Sequence, residues 1–391
     1  MTKWYFIRPI DTLFFRDGKP FEFGIENYSF SIFPPSPRTF YGALRTYIIL
    51  SHSSLNSYKK DEKLLKIVGD ENNFGNLRIY GPIIAKKIGS YIEMYFPIPK
   101  DVMLKETFIE KRAIYLKPQE IEEANFNLDK KINLVIPEQE EDLEEVEGYF
   151  SNSDMEDYLS EKSELGEKLE KIAKDSSNIY KHEHRVGIKI NKERGTVEPH
   201  YLYSSPHLRL GIFNTARYYG FIVGIDGDEG LVNNRGIFRL GGDTRVVELE
   251  ELEEGMIEKI FSQFRLQIIE KIKNSKRFKM ILLTPAIFQN GWYPDFLNIS
   301  NDELKGKWEG IEIKLVGCIL GKPKYLGGFD LVKQTPKSIK KVIPPGSVYF
   351  FEIINDTNID WDNIFNNYFP RSIDNSDLSK EGFQLILLGG W

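Results

Sequence analysis

From Lys3 to Ile10 the chain runs through aromatic and β-branched residues, which predicts a strand feeding the loop Arg16-Asp17-Gly18-Lys19-Pro20. After a second loop, Phe33-Pro34-Pro35-Ser36-Pro37, apolar residues recur at helical spacing at Phe40, Leu44, Tyr47 and Ile48. That spacing predicts a helix over about residues 38–50, with Ser36 as N-cap and Pro37 at the first helical position, where a missing N–H is harmless. Residues 79–87 and 91–97 then predict two strands around Gly89-Ser90. The opening order is β-α-β-β, most of a ferredoxin-like β-α-β-β-α-β unit. Its remainder is expected far downstream, as a strand at 218–225, a short helix at 229–239 and a closing strand at 245–249.

Residues 101–217 lie between these parts as a large insertion. Within it, Leu165, Leu169, Ile172 and Ala173 form the apolar stripe of an expected helix at 159–175. Glu164/Lys168, Glu167/Lys171 and Glu170/Lys174 are Glu-before-Lys pairs four apart that would support it. A helix at 253–273, with Ile257, Ile260, Phe261, Phe264, Ile268 and Ile272 on one side, reads as a connector. Strands at 278–283, 311–320, 327–332 and 348–354, a short helix at 361–368 and a strand at 383–388 then restart the pattern. The expected fold is α+β, with two ferredoxin-like (RRM-like) domains. They divide as 1–252, including the insertion and its thumb region at 101–217, a connecting helix at 253–275, and 276–391.

With 391 residues, 27 Phe and 20 Tyr, the chain has the length for two packed units and the apolar surface to order them. The longest apolar runs fall far short of the roughly 20 residues that cross a bilayer, and the apolar stretch at 4–7 is too short for a secretory signal. A lone cysteine, Cys318, excludes an internal disulfide and cysteine-based metal centres. A cytoplasmic protein is expected. The net charge of −6 conceals a division: residues 120–170 hold 18 acidic residues against four lysines, a net of −14, so the remainder carries +8. A basic body attracts phosphate polymers, whereas an acidic arm stays solvated or faces a protein partner; ordinary solvated faces would explain both equally well.

The chemistry-bearing residues assemble no catalytic set. His182, His184, His200 and His207 cluster in sequence, and His182 and His184 would share a strand face, but no cysteine nearby completes a familiar metal pattern. His52 could serve as acid or base in RNA cleavage, yet the spacing offers it no partner. Gly241-Gly242-Asp243 invites comparison with nucleotide cyclases, but Thr244 and Arg245 follow where a two-metal turn needs clustered carboxylates. Paired glycines, here and at Gly327-Gly328 and Gly389-Gly390, offer close backbone approach and exposed N–H groups that suit a phosphate; a tight turn is the plainer reading of each. Residues 185–190 and 196–203 predict a hairpin around Asn191-Lys192-Glu193-Arg194-Gly195. Val186, Ile188 and Ile190 would line one side, Arg185 and Lys189 the other, with Tyr201 and Tyr203 available to stack on a base.

The run from Asp11 to Phe21 (Asp-Thr-Leu-Phe-Phe-Arg-Asp-Gly-Lys-Pro-Phe) and that from Phe33 to Arg45 (Phe-Pro-Pro-Ser-Pro-Arg-Thr-Phe-Tyr-Gly-Ala-Leu-Arg) resemble the opening of the subunit-three family of type III-B CRISPR Cmr effector complexes, in the RAMP superfamily. The resemblance continues in order through Arg185-Val186-Gly187-Ile188-Lys189-Ile190, Leu240-Gly241-Gly242-Asp243-Thr244-Arg245, Leu283-Thr284-Pro285-Ala286, Pro344-Pro345-Gly346-Ser347-Val348-Tyr349 and Leu388-Gly389-Gly390-Trp391. It implies two ferredoxin-like domains and no catalytic activity, cofactor or metal. It also implies a subunit that caps the complex, holds the five-prime repeat-derived handle of the crRNA, and docks against the large polymerase-like subunit and a backbone RAMP. Residues 185–203 would be the thumb hairpin that presses on the guide. No motif in the acidic stretch matches. Phosphate contacts are expected from Arg16, Lys19, Arg38, Arg45, Arg185, Lys189, Lys192, Arg194, Arg239 and Arg245, with backbone contacts at Gly241, Gly242, Gly389 and Gly390 and stacking by Tyr201 and Tyr203. The rival reading is a metal-independent RAMP endoribonuclease using His52 or a hairpin histidine; a third is a protein-binding scaffold using the acidic insert.

Overall fold

Lys3–Pro9 buries four consecutive side chains, Trp4 to Ile7, as a strand covered on both faces must. In this computed structural model, residues 2–16, 31–107, 110–120, 132–139, 142–191, 193–211, 218–330, 335–355, 359–361, 364 and 369–391 are described, with backbone alone at 199–203, 263, 264, 266, 267, 329 and 330. Lys3–Pro9 pairs antiparallel with Tyr218–Asp226 on one side and Val246–Glu251 on the other. The sheet continues to Arg78–Ile88 beyond the former and Arg235–Arg239 beyond the latter. Tyr218 and Lys87, 131 residues apart in sequence, thus meet as partners.

The helix Pro37–His52 forms as its apolar spacing requires, with Phe40, Leu44 and Ile48 fully buried. Each such side chain contributes roughly 1.5–3 kcal/mol of transfer free energy. Phe40 meets Phe221 edge-on at 5.0 Å, and Tyr47 lies 5.4 Å from Phe238, so the helix covers one face of the sheet. Pro37 opens the helix as expected. Ser36 holds the cap position through its carbonyl, which accepts from Thr39 N, while its hydroxyl is buried without a cap bond.

Residues 229–239 do not form the expected helix. Arg235–Arg239 is a strand whose Phe238 faces Val247 in register, and burial alternates along it with a period of two. Tertiary pairing and the aromatic contact to Tyr47 override a polar, glycine-containing segment of weak helical character. At Gly236 an added Cβ would stand 2.2 Å from the Tyr47 hydroxyl, so glycine is what permits this approach.

By contacts the chain divides into two units, one comprising Met1–Ile92, Ser177–Leu252 and Tyr325–Lys341, the other Glu93–Ser176, Glu253–Lys324 and Val342–Trp391. This differs from the division expected at 1–252, 253–275 and 276–391: residues 93–176, assigned above to the first domain, pack in the second unit, as does the helix assigned as connector. That helix, Met256–Ser275, lies on strands Arg277–Leu282 and Leu385–Gly390. Those strands belong to an antiparallel sheet ordered Leu297–Ser300, Glu303–Trp308, Ile311–Ile319, Val348–Asn355, Arg277–Leu282, Leu385–Gly390, Arg371–Ser372. Both units combine helices with antiparallel sheets.

What ties residues 93–176 into the second unit is a buried polar contact. Lys279 Nζ, on the interior strand Arg277–Leu282, lies 2.6 Å from Asp101 Oδ2, and Tyr158 donates its hydroxyl to Asp101 Oδ1 at 2.6 Å. Burial and the neighbouring Asp101 carboxylate push the Tyr158 hydroxyl well above its ordinary range. The helix expected at 159–175 starts later, as Leu165–Ser176; a separate helix, Asn152–Leu159, precedes it, and between them Glu161 takes a positive φ of 52°. Leu165, Leu169 and Ile172 form the buried stripe of Leu165–Ser176 as expected, with Ala173 half-buried beside them. Two of the expected i,i+4 partners bond elsewhere: Lys168 to Asp157 at 2.6 Å and Glu170 to Lys111 at 2.6 Å. Gly166 lets the helix meet the backbone of Arg112 and Ala113, where any Cβ would collide at 2.2 Å. The short helix expected at 361–368 lies largely outside the described residues. No described helix is long and apolar enough to cross a membrane.

Candidate nucleic-acid interface

Tyr180–Ile190 and Val197–Leu210 pair as a two-stranded ribbon in the first unit, from Tyr180↔Leu210 at its root to Ile190↔Val197 near its tip. Eleven residues at about 3.3 Å each give it a length of roughly 35 Å. Its turn is closed by Asn191, whose N–H donates to Thr196 O at 2.8 Å and whose side-chain oxygen accepts from the N–H groups of Glu193 and Arg194, both at 3.0 Å. Gly195 supplies the positive φ of 63° that the turn requires. Toward the tip Val186, Ile188, Ile190 and Val197 are all exposed. Among the described side chains of its outer half, at 186–190, 197, 198 and 204, none is buried, so the ladder and the root hold this part of the ribbon.

At the root, Leu13 and Leu208 exchange both backbone hydrogen bonds, at 2.8 and 2.7 Å, which fastens the ribbon to the loop after the first strand. Charged side chains gather there. Asp11 receives Arg185 Nη2 at 2.8 Å, Arg209 Nη2 at 3.0 Å and Arg245 Nη1 at 3.5 Å. Glu183 also holds Arg185, through the same Nη2 at 3.0 Å, and Arg209, through Nε at 2.5 Å, while Asp243 holds Arg245 Nη2 at 2.5 Å. The Arg185 hydrogen bond leads in drawing the Asp11 carboxyl down to about 2, and Arg209 leads in lowering Glu183. Beneath the cluster His207 is buried, its Nδ1 3.3 Å from Thr12 Oγ1, its ring stacked on Phe14 at 5.1 Å. Burial, aided by Arg245 and Arg185, lowers its pKa and favours the neutral imidazole.

Of the expected contact residues, the fold brings Arg185 and Arg245 into this cluster. Lys189 lies farther along the ribbon, 2.7 Å from Glu198, and Arg194 is exposed at the turn. Arg239 is exposed at the end of the sheet's outermost strand on that side; Arg16 is exposed and bridged to Ser31; Arg38 is half-buried in the first helical turn. Arg45 points elsewhere, donating to the Asp70 carbonyl at 2.5 Å and so bracing the loop after Glu62–Val68. Lys19, Lys192 and the side chains of Tyr201 and Tyr203 lie outside the described residues.

The glycine pairs differ from the expectation of exposed amides. Gly242 donates its N–H to Phe14 O at 2.8 Å, and Gly241, at φ 78°, leaves no room for a Cβ, which would stand 2.5 Å from that same oxygen. Gly389 and Gly390 are buried in the second unit, in register with Lys279 and Phe278. There they admit the stems of Lys279 and Lys271, whose carbons would meet a Cβ at 3.2 and 2.8 Å. These glycines serve close packing.

Sequence reasoning missed Asp11, Glu183, His207 and Arg209 as members of the cluster. One signal was present: Glu183 and Arg185 alternate on one face of a strand-like run. Nothing in the spacing announced Asp11, which lies 174 residues from Arg185. His52, considered above as an acid or base, has Nε2 at 2.8 Å from the Leu231 carbonyl oxygen. Among the described residues, no three His, Cys, Asp or Glu side chains stand close enough to hold a metal ion.

Comparison with known proteins adds the following. A chain of "Cryo-EM structure of the Type III-B Cmr-beta bound to cognate target RNA" is 19% identical, with a TM-score of 0.49 over 98% of this chain and 96% of its own. A chain of the same complex "bound to cognate target RNA and AMPPnP, state 1" is 19% identical, with a TM-score of 0.47 over 89% and 86%. One from its apo state is 13% identical, with a TM-score of 0.28 over 65% and 98%. No curated protein matches significantly. The family described as CRISPR-associated protein (Cas_Cmr3) matches residues 5–391. Since that match takes in the loop carrying Asp11, the whole ribbon and both packed units, the chain belongs to the Cas_Cmr3 family of CRISPR-associated proteins.

Proposed function

We propose that this chain is a non-catalytic RNA-binding subunit of a type III-B Cmr complex, which caps the crRNA and holds its five-prime repeat-derived handle. It docks against the large polymerase-like subunit and a backbone RAMP subunit, in the cytoplasm. The observation that carries the reading is the ribbon Tyr180–Ile190/Val197–Leu210, rooted in an arginine cluster and bearing Lys189 and Arg194 outward. A single-stranded handle suits such a surface, because its phosphates meet cations along the ribbon while its splayed bases stack on aromatic rings. Arg16, Arg38, Arg185, Lys189, Arg194, Arg239 and Arg245 are the proposed phosphate contacts, with Lys19 and Lys192 added from the sequence and Tyr201 and Tyr203 as stacking groups.

Both units fit a ferredoxin-like reading. In the first, the closing, first, third and second strands of that plan correspond to Val246–Glu251, Lys3–Pro9, Tyr218–Asp226 and Arg78–Ile88, all antiparallel. In the second they correspond to Leu385–Gly390, Arg277–Leu282, Val348–Asn355 and Ile311–Ile319. The strand Arg235–Arg239 takes the place of the first unit's second helix.

Incubating the purified chain with repeat-derived RNA in EDTA tests the proposal. Retention of RNA by the chain, with every phosphodiester intact, is the expected result. Metal-free cleavage would replace the proposal with the endoribonuclease reading, and no retention even within the assembled complex would refute RNA holding.

A further inference from the structure

Three guanidinium groups converge on one carboxylate at the root of the ribbon, and that carboxylate is the odd member of the set. Each arginine already has a second acidic partner: Glu183 for Arg185, through Nε and the same Nη2 that reaches Asp11, and for Arg209, through Nε; Asp243 for Arg245, through Nη2. Those partners orient the forks. Asp11 instead occupies the point on which Arg185 Nη2, Arg209 Nη2 and Arg245 Nη1 converge, at 2.8, 3.0 and 3.5 Å, and 47% of its side chain is exposed. Without Asp11, three arginines against Glu183 and Asp243 leave one net positive charge, focused where solvent reaches it.

We propose that this cluster is a built phosphate site in which Asp11 is an internal stand-in for the ligand, displaced when an RNA phosphodiester arrives. The inference rests on the RNA-binding reading above and deepens it by naming the subsite. A phosphodiester offers two non-bridging oxygens with one negative charge, a match for planar guanidinium forks that a carboxylate resembles in charge and spacing. The fixed forks mean that little side-chain entropy is lost when the phosphate binds. Asp11 also has a discriminating effect. An isolated anion must outcompete a carboxylate tethered by the chain, whereas a polynucleotide already held along the ribbon delivers its phosphate at high effective concentration. The site would therefore ignore free phosphate and take phosphate in a strand.

The test uses the full-length chain and two probes, inorganic phosphate and repeat-derived RNA. Asp11→Ala is expected to bind inorganic phosphate, by calorimetry in a buffer lacking other multivalent anions, at least tenfold more tightly than the unsubstituted chain. Adding Arg209→Gln should abolish the gain. Asp11→Ala should also hold RNA more tightly, with its logarithmic salt dependence unchanged, because the same phosphate is neutralised whether or not Asp11 has first to leave. Near-UV circular dichroism reports whether the root survives; should Asp11→Ala disturb it, Asp11→Asn removes the charge while keeping the shape and carries the same expectations. Phosphate affinity unchanged in a folded Asp11 variant would overturn the stand-in proposal. Phosphate binding gained by the variant, beside an unsubstituted chain that retains no RNA, would support the anion site and refute the RNA-holding reading instead.

Discussion

Replacing Lys279 with methionine removes a cation from a place that solvent barely reaches, where Lys279 and Asp101 side chains are 2% and 0% exposed. The carboxylate of Asp101 would then be left with the Tyr158 hydroxyl, 2.6 Å away, as its side-chain donor, and the attraction between the ammonium and the Tyr158 ring 4.2 Å beneath it would be lost. Breaking one side of a buried pair costs about 3–5 kcal/mol, because the remaining charge stays buried without compensation. With a urea dependence of about 2 kcal/mol per molar, the unfolding midpoint should fall by roughly 2 M. Tryptophan fluorescence suits the assay, because Trp292, Trp308, Trp361 and Trp391 all belong to the second unit and Trp4 alone to the first. The double variant Lys279→Met/Asp101→Asn keeps the acceptor for Tyr158 but no ion, and should recover to within about 1–2 kcal/mol of the unsubstituted chain. A single variant that unfolds within about 1 kcal/mol of the original, or a double variant no better than the single, would refute the argument that this pair fastens residues 93–176 to the second sheet.

Three further outcomes follow from the geometry. Gly241→Ala should destabilise the first unit by about 1–2 kcal/mol in thermal unfolding, because the new Cβ would carry a positive φ and press on Phe14 O. Because the His207 pKa is lowered from 6.5 in the fold, the unfolded chain binds the extra proton first. Stability should therefore be full above pH 6.5 and decline as pH falls through the folded value; His207→Gln should flatten that decline in urea titrations, and an unchanged profile would exclude His207 as its source. Burial pushes the thiol of the partly exposed Cys318 up to about 12, so at pH 8 a disulfide reagent should label it far more slowly than a free thiol, and unfolding the second unit should abolish the difference.

Much of the local architecture was legible because it depends on short-range periodicity. The helix Pro37–His52 follows from apolar spacing and a proline placed where helices start, and the ribbon from two strand-like runs flanking Asn191-Lys192-Glu193-Arg194-Gly195. The segment at 229–239 misled because its strand character comes from Val246–Glu251 and Tyr47, not from its own residues. Unit membership was hidden for the same reason: the Asp101–Lys279 bond spans 178 residues, and neither residue looks unusual in sequence. At the candidate site the arginines were nameable as basic residues, but their common focus on Asp11, 234 residues from Arg245, exists only in the fold. The glycine pairs were correctly singled out as points of close approach, while their amides proved to serve protein contacts at Gly242 and the sheet ladder at Gly389 and Gly390.

The account rests on cations of the first unit gripping a guide strand, and the salt dependence of binding measures that grip directly. Titrating repeat-derived RNA between about 50 and 200 mM salt, the triple variant Lys189→Ala/Arg194→Ala/Arg239→Ala should bind more weakly, with a slope shallower by up to about 2, at roughly 0.7 per phosphate contact removed. A triple variant whose affinity and slope both match the unsubstituted chain would contradict the assignment of the ribbon and its flanking strand as the RNA-holding surface.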